Sequence, residues 1–362
     1  AQWHSGSTGH DGAESGEIWS PRYIHGEDTH ALPLVEGYLA KVEPHDHDAA
    51  SHGPELERYL YAPYAHFTRA GGKRTRPALC LLGAEAVGGR AEAALPVAAA
   101  IEHFQSAALI HDDIADEGET RRGEPCTYLS EGTGPAINMG DLGIVTTFRL
   151  VLDDGSLGAD TRLRLLEELS LMELRTLEGQ ALDLGWVRDG RWDVSSTDYL
   201  RMATLKTAHY SAAVPLAAGA VCAGGSERQV EALRAFGLDA GLAFQIQDDL
   251  LNLVGDSVAQ GKDFRSDVTE GKRTLVATWA LERLEGSRRE ELQGLLDAHV
   301  TDEGALARAV LLMDEAGAVE HARSVARELV ARAKGRLEGV GLEDGPHETL
   351  RSMADFFVER RG

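Results

Sequence analysis

From Leu56 onward apolar residues recur at intervals of three and four, Ala, Leu, Glu and Arg fill most positions, and Val/Ile/Thr alternation is scarce. A chain patterned this way buries its apolar stripe by packing helix on helix, so the expected class is all-α. Breaks fall at Gly71-Gly72, Gly88-Gly89, Gly118 to Pro125, Asp153 to Asp160, Asp189-Gly190, Gly224-Gly225, Gly255 to Gly271 and Gly286. They leave helices of roughly 12 to 30 residues between them. The run Asp193 to Asp198 offers N-cap side chains ahead of a helix expected to begin near Tyr199. Without a short-period repeat or a long linker, the simplest architecture is a single large bundle of antiparallel helices around a central cavity. Residues 1–24, rich in Gly, Ser and His, read as a flexible tail, and 25–362 as one domain.

The charge balance narrows the partners. Lys plus Arg number 36 against 59 Asp plus Glu, a formal net charge of -23. Such a surface repels phosphate backbones and anionic headgroups, which argues against nucleic acid and membrane association. Cys80, Cys126 and Cys222 show no CxxC spacing, so neither a disulfide framework nor a structural zinc site is expected, and a reducing cytoplasm fits. No uninterrupted apolar run of about 20 residues argues for stable membrane insertion. An anionic substrate would need this acidic average reversed locally, by clustered cations or by bound divalent metal.

Two acidic motifs supply the second option. His111-Asp112-Asp113-Ile114-Ala115-Asp116 closes the apolar helix Leu95 to Ile110, which puts Asp112 and Asp116 one turn apart on a face shared with Ala108 and Gln105. Carboxylates so placed repel unless a cation sits between them, and their hard oxygens suit Mg²⁺. Far downstream, Phe244-Gln245-Ile246-Gln247-Asp248-Asp249-Leu250-Leu251-Asn252 places polar groups inside another apolar helix, where burial without partners is costly. Facing each other, the two motifs could hold several Mg²⁺ ions and through them a diphosphate.

Cations cluster as well. Gly71-Gly72-Lys73-Arg74-Thr75-Arg76-Pro77 sets three positive charges beside a glycine pair without the spacing of a nucleotide-binding P-loop. Arg121-Arg122 follow the first acidic motif, Lys206-Thr207 sit in an apolar helix, and Lys262 and Lys272 lie in one loop. Arg forks match phosphate oxygens bidentately.

These pieces, in this order, resemble the trans-isoprenyl diphosphate synthase family. The resemblance runs from about Leu56 to about Ala280. It rests on Gly-Gly-Lys-x-x-Arg-Pro at 71 to 77, Asp-Asp-x-x-Asp with Arg-Arg-Gly at 112 to 123, Ala136-Ile137-Asn138-x-Gly140-Asp141, Gly179-Gln180-x-x-Asp183-Leu184, Lys206-Thr207, Phe244-Gln245-x-x-Asp248-Asp249 and Glu270-Gly271-Lys272-x-Thr274-Leu275. Seven ordered motifs in one helical chain are far more specific than any one of them.

The resemblance implies a prenyltransferase that joins isopentenyl diphosphate head to tail onto an allylic diphosphate, with Mg²⁺, as a homodimer. It assigns Lys73, Arg76, Gln105 and Arg122 to isopentenyl diphosphate, and Arg121, Lys206, Lys262 and nearby Lys272 to the allylic diphosphate. Asp112, Asp116 and Asp248 become direct metal ligands, Asp113 and Asp249 ligands or outer acceptors, and Thr207 and Gln245 oxygens aimed at the developing cation. Ala107 and Ala108, where farnesyl-making relatives tend to carry bulk, imply a product of C20 or longer, with Phe104 and Phe148 as a lower floor. Two positions depart from the family pattern: Asn252 stands where many relatives carry Asp, and Arg265 where Gly is common. A class I terpene cyclase would leave Lys73, Arg76 and Arg122 without a purpose, and non-catalytic partner subunits usually lose acidic residues that this chain keeps.

Overall fold

A computed structural model describes residues 31–40, 53–257 and 264–360. The readings made for residues 1–24 and for Lys262 lie outside the described residues. Helices account for nearly all of the rest: α1 (Ala31–Leu39), α2 (Ala62–Arg69), α3 (Thr75–Ala86), α4 (Leu95–Ala115), α5 (Thr133–Asp153), α6 (Ala159–Arg188) and α7 (Ser196–Ala203). A π-helical segment, Thr204–Ala213, joins α7 without a break to α8 (Val214–Cys222). After it come α9 (Glu227–Val254), α10 (Leu275–Arg283), α11 (Gly286–Asp297), α12 (Glu303–Glu315), α13 (Ala318–Arg336) and α14 (Asp344–Glu359).

Apolar periodicity sets the core. One cluster of buried side chains runs from Val35 to Phe357, and a smaller one holds Tyr64, Phe67, Ile110, Ala136 and Met139. Helix α4 is its axis. The stretch Ala91–Ala115 is long and apolar enough to cross a membrane, but 72% of its most apolar window is buried inside the bundle. Helices α3 and α8 press together where each offers a glycine to the other. A Cβ on Gly83 would lie 2.2 Å from the Leu216 carbonyl oxygen, and one on Gly219 1.8 Å from that of Cys80.

Helix ends follow the signals in part. The helix expected near Tyr199 starts at Ser196, because Ser195 and Asp198 close a reciprocal capping box around the intervening turn. Ser226 and Gln229 do the same at the head of α9. The segment from Gly118 to Pro125, expected as a break, contains a miniature ribbon of β1 (Thr120–Arg121) and β2 (Glu124–Pro125). Its turn residues Arg122 and Gly123 both have positive φ (54° and 82°), as a tight hairpin with right-handed strand twist requires.

Candidate active site

The site gathers at the C-terminal end of α4. Gln180 of α6 donates from Nε2 to Asp112 Oδ1 at 3.0 Å, while its own Oε1 is buried without a partner. Helix α6 reaches this point because Gly179 lets it touch the π-helical segment, where a Cβ would meet the Lys206 backbone nitrogen at 2.3 Å. The Lys206 ammonium lies 2.6 Å from Asp183 Oδ2. Burial works against the Lys206 charge, but Asp183 and then Asp112 outweigh it and hold the ammonium above its ordinary range.

The carboxyls around it are shifted the other way. Burial raises Asp112, opposed by Lys206 and helped by the charge of Asp116. Asp116 is raised by burial against the pull of Lys272 and Lys206, with Glu270 and Asp183 pushing upward. Lys272 lies 2.8 Å from Glu270 and 3.5 Å from Asp267, and Asp267 in turn raises Asp249. The two acidic motifs thus share one electrostatic neighbourhood, linked by Lys206, Asp183 and Lys272. Among the described residues no three His, Cys, Asp or Glu side chains stand ready-made to hold an ion. Desolvated, mutually repelling Asp112 and Asp116 with the orphaned Gln180 oxygen beside them nonetheless suit a hard divalent cation.

The motif aspartates do not all face this space. Asp113 is 3% exposed and clasped by the Arg121 fork, whose Nε lies 3.1 and 3.2 Å from its two oxygens. Asp249 is buried and accepts from Tyr199 OH at 2.5 Å and Gln245 Nε2 at 2.8 Å. Burial and then the Asp267 charge push its carboxyl upward, while the hydrogen bonds from Tyr199 and Gln245 favour the charged form. Asp113 and Asp249, expected as ligands or as outer acceptors, are therefore occupied by protein donors. Asp112, Asp116 and Asp248 keep more open positions, Asp248 pairing with Arg360 at the end of α14. Thr207 Oγ1 donates to Gln245 Oε1 at 3.2 Å.

Lys73, Arg76, Gln105 and Arg122 line a cavity of about 350 Å³ together with Phe244, Phe357 and Arg360. Arg76 rests 4.4 Å from the Tyr210 ring centre and donates to Ser211 Oγ at 2.8 Å, while its Nε and the Gln105 Oε1 are buried without partners. Arg122 donates to the Phe67 carbonyl at 3.2 Å, passing so close to Gly72 that a Cβ there would lie 3.1 Å from its Nη2. Arg74, the third cation of the basic segment, turns inward and pairs with Glu102 and Glu36. His103 is committed to Tyr64 OH at 2.7 Å, and burial pushes it down to about 4. On α4, Ala108 shares the face of Gln105 and Asp112, whereas Ala107 packs toward Gly143 of α5. Phe104 meets the Tyr210 ring edge-on, 5.7 Å between centres.

The departures find physical roles. Asn252 Nδ2 donates to Ser266 Oγ at 3.0 Å and its Oδ1 accepts from the Asp267 backbone N–H at 3.2 Å, so it fastens the following loop. Arg265, where glycine is common, adopts φ 63°, the left-handed region that glycine favours. Sequence reasoning missed Tyr199 and Arg360, whose importance comes only from what they touch across the bundle. Gln180 and Asp183 stood in a quoted motif without an assigned task.

Carboxylates and oriented cations gathered at the end of a buried helix, together with a cavity lined by Lys73, Arg76 and Arg122, fit a nearly all-helical enzyme that handles diphosphates. The sequence pattern of the polyprenyl synthetase family matches residues 57–313. The chain is 42% identical over 298 residues to a short chain isoprenyl diphosphate synthase of Methanothermobacter thermautotrophicus, covering 82% of this chain and 88% of that protein. It is 37% identical to a geranylfarnesyl diphosphate synthase of Aeropyrum pernix, covering 82% and 92%. It superposes with a TM-score of 0.81 on the geranylgeranyl pyrophosphate synthase of Corynebacterium glutamicum complexed with isoprenyl diphosphate and magnesium, at 29% identity and covering 91% and 99%. The chain belongs to the polyprenyl synthetase family, and it is a trans-prenyltransferase.

Proposed function

We propose that this enzyme elongates an allylic diphosphate with isopentenyl diphosphate, using Mg²⁺, to a product of C20 or longer. The observation that carries the reading is the shared face of α4. Gln105 lines the basic cavity and Asp112 lies beside Lys206, seven residues away on the same side. That spacing is about 10 Å along the helix, short enough for one face of α4 to serve two diphosphates.

Lys73, Arg76, Gln105 and Arg122 bind isopentenyl diphosphate, Arg76 through a buried Nε–H that lacks a partner and Gln105 through its amide N–H groups. Arg121, Lys206, Lys272 and Lys262 hold the allylic diphosphate, Arg121 and Lys206 each aimed by a carboxylate behind it. Asp112, Asp116 and Asp248 would hold Mg²⁺, which supplies positive charge to a departing diphosphate. Thr207 and Gln245 present neutral oxygens to the allylic carbon as positive charge grows there. Phe244 and Phe357 give the cavity an apolar wall that keeps water from the reacting carbons, and among the described residues its lining holds no imidazole. Ala108 leaves room for a long tail beside α4, with the Phe104–Tyr210 pair as a floor. A second copy of the chain covers the leucine stripe of α6, whose exposure in a single chain is otherwise unexplained.

Incubation with Mg²⁺, isopentenyl diphosphate and, separately, dimethylallyl, geranyl and farnesyl diphosphate tests the reading. The expected result is elongation to C20 or beyond. Products that stop at C15 overturn the length, and no elongation with any primer points to a cyclase or a partner subunit.

A further inference from the structure

The second carboxylate of the downstream motif ties Tyr199, which no assigned role uses, to the two side chains that face the allylic carbon. Tyr199 of α7 is fully enclosed, and its hydroxyl donates to Asp249 Oδ2 at 2.5 Å. Gln245 Nε2 donates to the other oxygen at 2.8 Å, and the Gln245 carbonyl oxygen accepts from Thr207 Oγ1 at 3.2 Å. The chain runs Tyr199, Asp249, Gln245, Thr207 and crosses from α7 through α9 to the π-helical segment.

We infer that Tyr199 and Asp249 are positioning residues that fix the Gln245 amide, and that Asp249 is not a metal ligand. Both oxygens of Asp249 already accept a hydrogen bond inside the protein, and turning either toward an ion would strand a buried donor. The arrangement also decides which way the amide faces. With its N–H held by Asp249, the carbonyl oxygen must point to Thr207, and at least one lone pair on each oxygen remains for the allylic carbon. A flipped amide would offer N–H groups to a growing positive charge. Neutral dipoles set in place before the C–O bond breaks lower the barrier without being reoriented during the reaction. The inference rests on the proposed elongation reaction and adds to it a buried pair behind the oxygens that face the substrate.

Two variants test it. Tyr199→Phe keeps the ring and removes the donor; the expected result is a kcat about tenfold lower with KM for isopentenyl diphosphate unchanged, a fraction of the loss seen when a direct oxyanion donor is deleted. A larger share of allylic diphosphate should also be released as alcohol, which a loss of stability alone would not produce. Asp249→Asn retains an acceptor for Gln245 and a partner for Tyr199. It should bind Mn²⁺ in the presence of inorganic pyrophosphate within about threefold of wild type, while Asp248→Asn binds it at least tenfold more weakly. Equal losses of Mn²⁺ binding at 248 and 249, read by calorimetry, would overturn the inference, as would full kcat in Tyr199→Phe. Should Tyr199→Phe fail to fold, the Mn²⁺ comparison still decides. Should the wild-type enzyme elongate no primer, the elongation reading fails while the same Mn²⁺ comparison continues to test Asp249.

Discussion

Adjacent aspartates at 112 and 113 meet opposite surroundings because they are 100° apart on one helix. Asp112 turns to Gln180 and Lys206, and Asp113 turns into the bundle wall and meets Arg121. Asp112→Asn is therefore expected to cut kcat by about 10² to 10³, the scale of losing one strong electrostatic contact in the transition state. Asp113→Asn should instead free the Arg121 fork and raise KM for the allylic diphosphate by about tenfold, a cost near 1.4 kcal/mol. Steady-state kinetics separates the two, and equal kcat losses with unchanged KM would place both carboxylates on the metal. Glu173 of α6 allows a pH test away from this chemistry. Its Oε1 is buried without a partner, and burial raises the carboxyl from 4.5 to about 7. A raised acid keeps its proton longer in the folded state, so its stability contribution is complete below about pH 4.5 and is lost as pH climbs through about 7. Thermal melting of Glu173→Gln should match wild type near the lower limit and exceed it above the upper one. Allowing for partial exposure, the gain is on the order of 2 kcal/mol or less. A gap that is constant with pH would show that the carboxyl does not titrate as described.

The π-helical segment shows how an element is fixed by neighbours that the local sequence does not name. Val214 to Cys222 is uniformly apolar and Thr204 to Ala213 scatters Thr, Lys, His and Ser among Leu and Ala, so a period of 3.6 and a wider turn read alike, and an ordinary helix is what the pattern predicts. The motifs, the break positions and the all-helical class were legible because each depends on residues close in sequence. The separation of Asp113 and Asp249 from Asp112, Asp116 and Asp248 came only with the resemblance, and the donors that engage the two, Arg121, Tyr199 and Gln245, were not legible because most of these contacts cross the bundle. Glycines offer a direct test of this lateral control. Gly179→Ala drives a methyl group into the Lys206 backbone and should destabilise the protein by about 1–3 kcal/mol, with a drop in kcat from the displaced Lys206 and Thr207. Gly185 lies on the same helix with nothing within 4 Å of an added Cβ, so Gly185→Ala should stabilise by up to about 1 kcal/mol and leave kcat alone. Denaturant unfolding and steady-state kinetics read both, and equal effects at the two positions would mean that close approach to the π-helical segment is unimportant.

At the scale of the whole molecule, the apolar pattern of α5 and α6 exceeds what one chain can bury. Leu163 is 60% and Leu177 65% exposed, and Leu174 and Leu184 continue their stripe along α6, while Ile137, Val145 and Leu152 stand out from α5. Helix α6 has 30 residues, about 45 Å, so the stripe has the reach of a full protein interface. Because the net charge of -23 keeps separate copies apart at long range, association must come from short-range apolar burial along this seam. Gln180 stands beside this stripe, one turn from Leu177 and from Leu184, and Asp183 lies further round the helix; they hold Asp112 and Lys206, so a partner that steadies α6 also steadies the active site. Light scattering should give wild type twice the chain mass, and the double variant Leu174→Glu with Leu177→Glu a single chain mass, because charges set in an apolar seam cannot be desolvated at acceptable cost. Activity per chain should fall with dissociation and recover as enzyme concentration rises toward any residual dimer. A monomeric wild type, or a double variant that remains paired, would leave the leucine stripe without the occupant assigned to it.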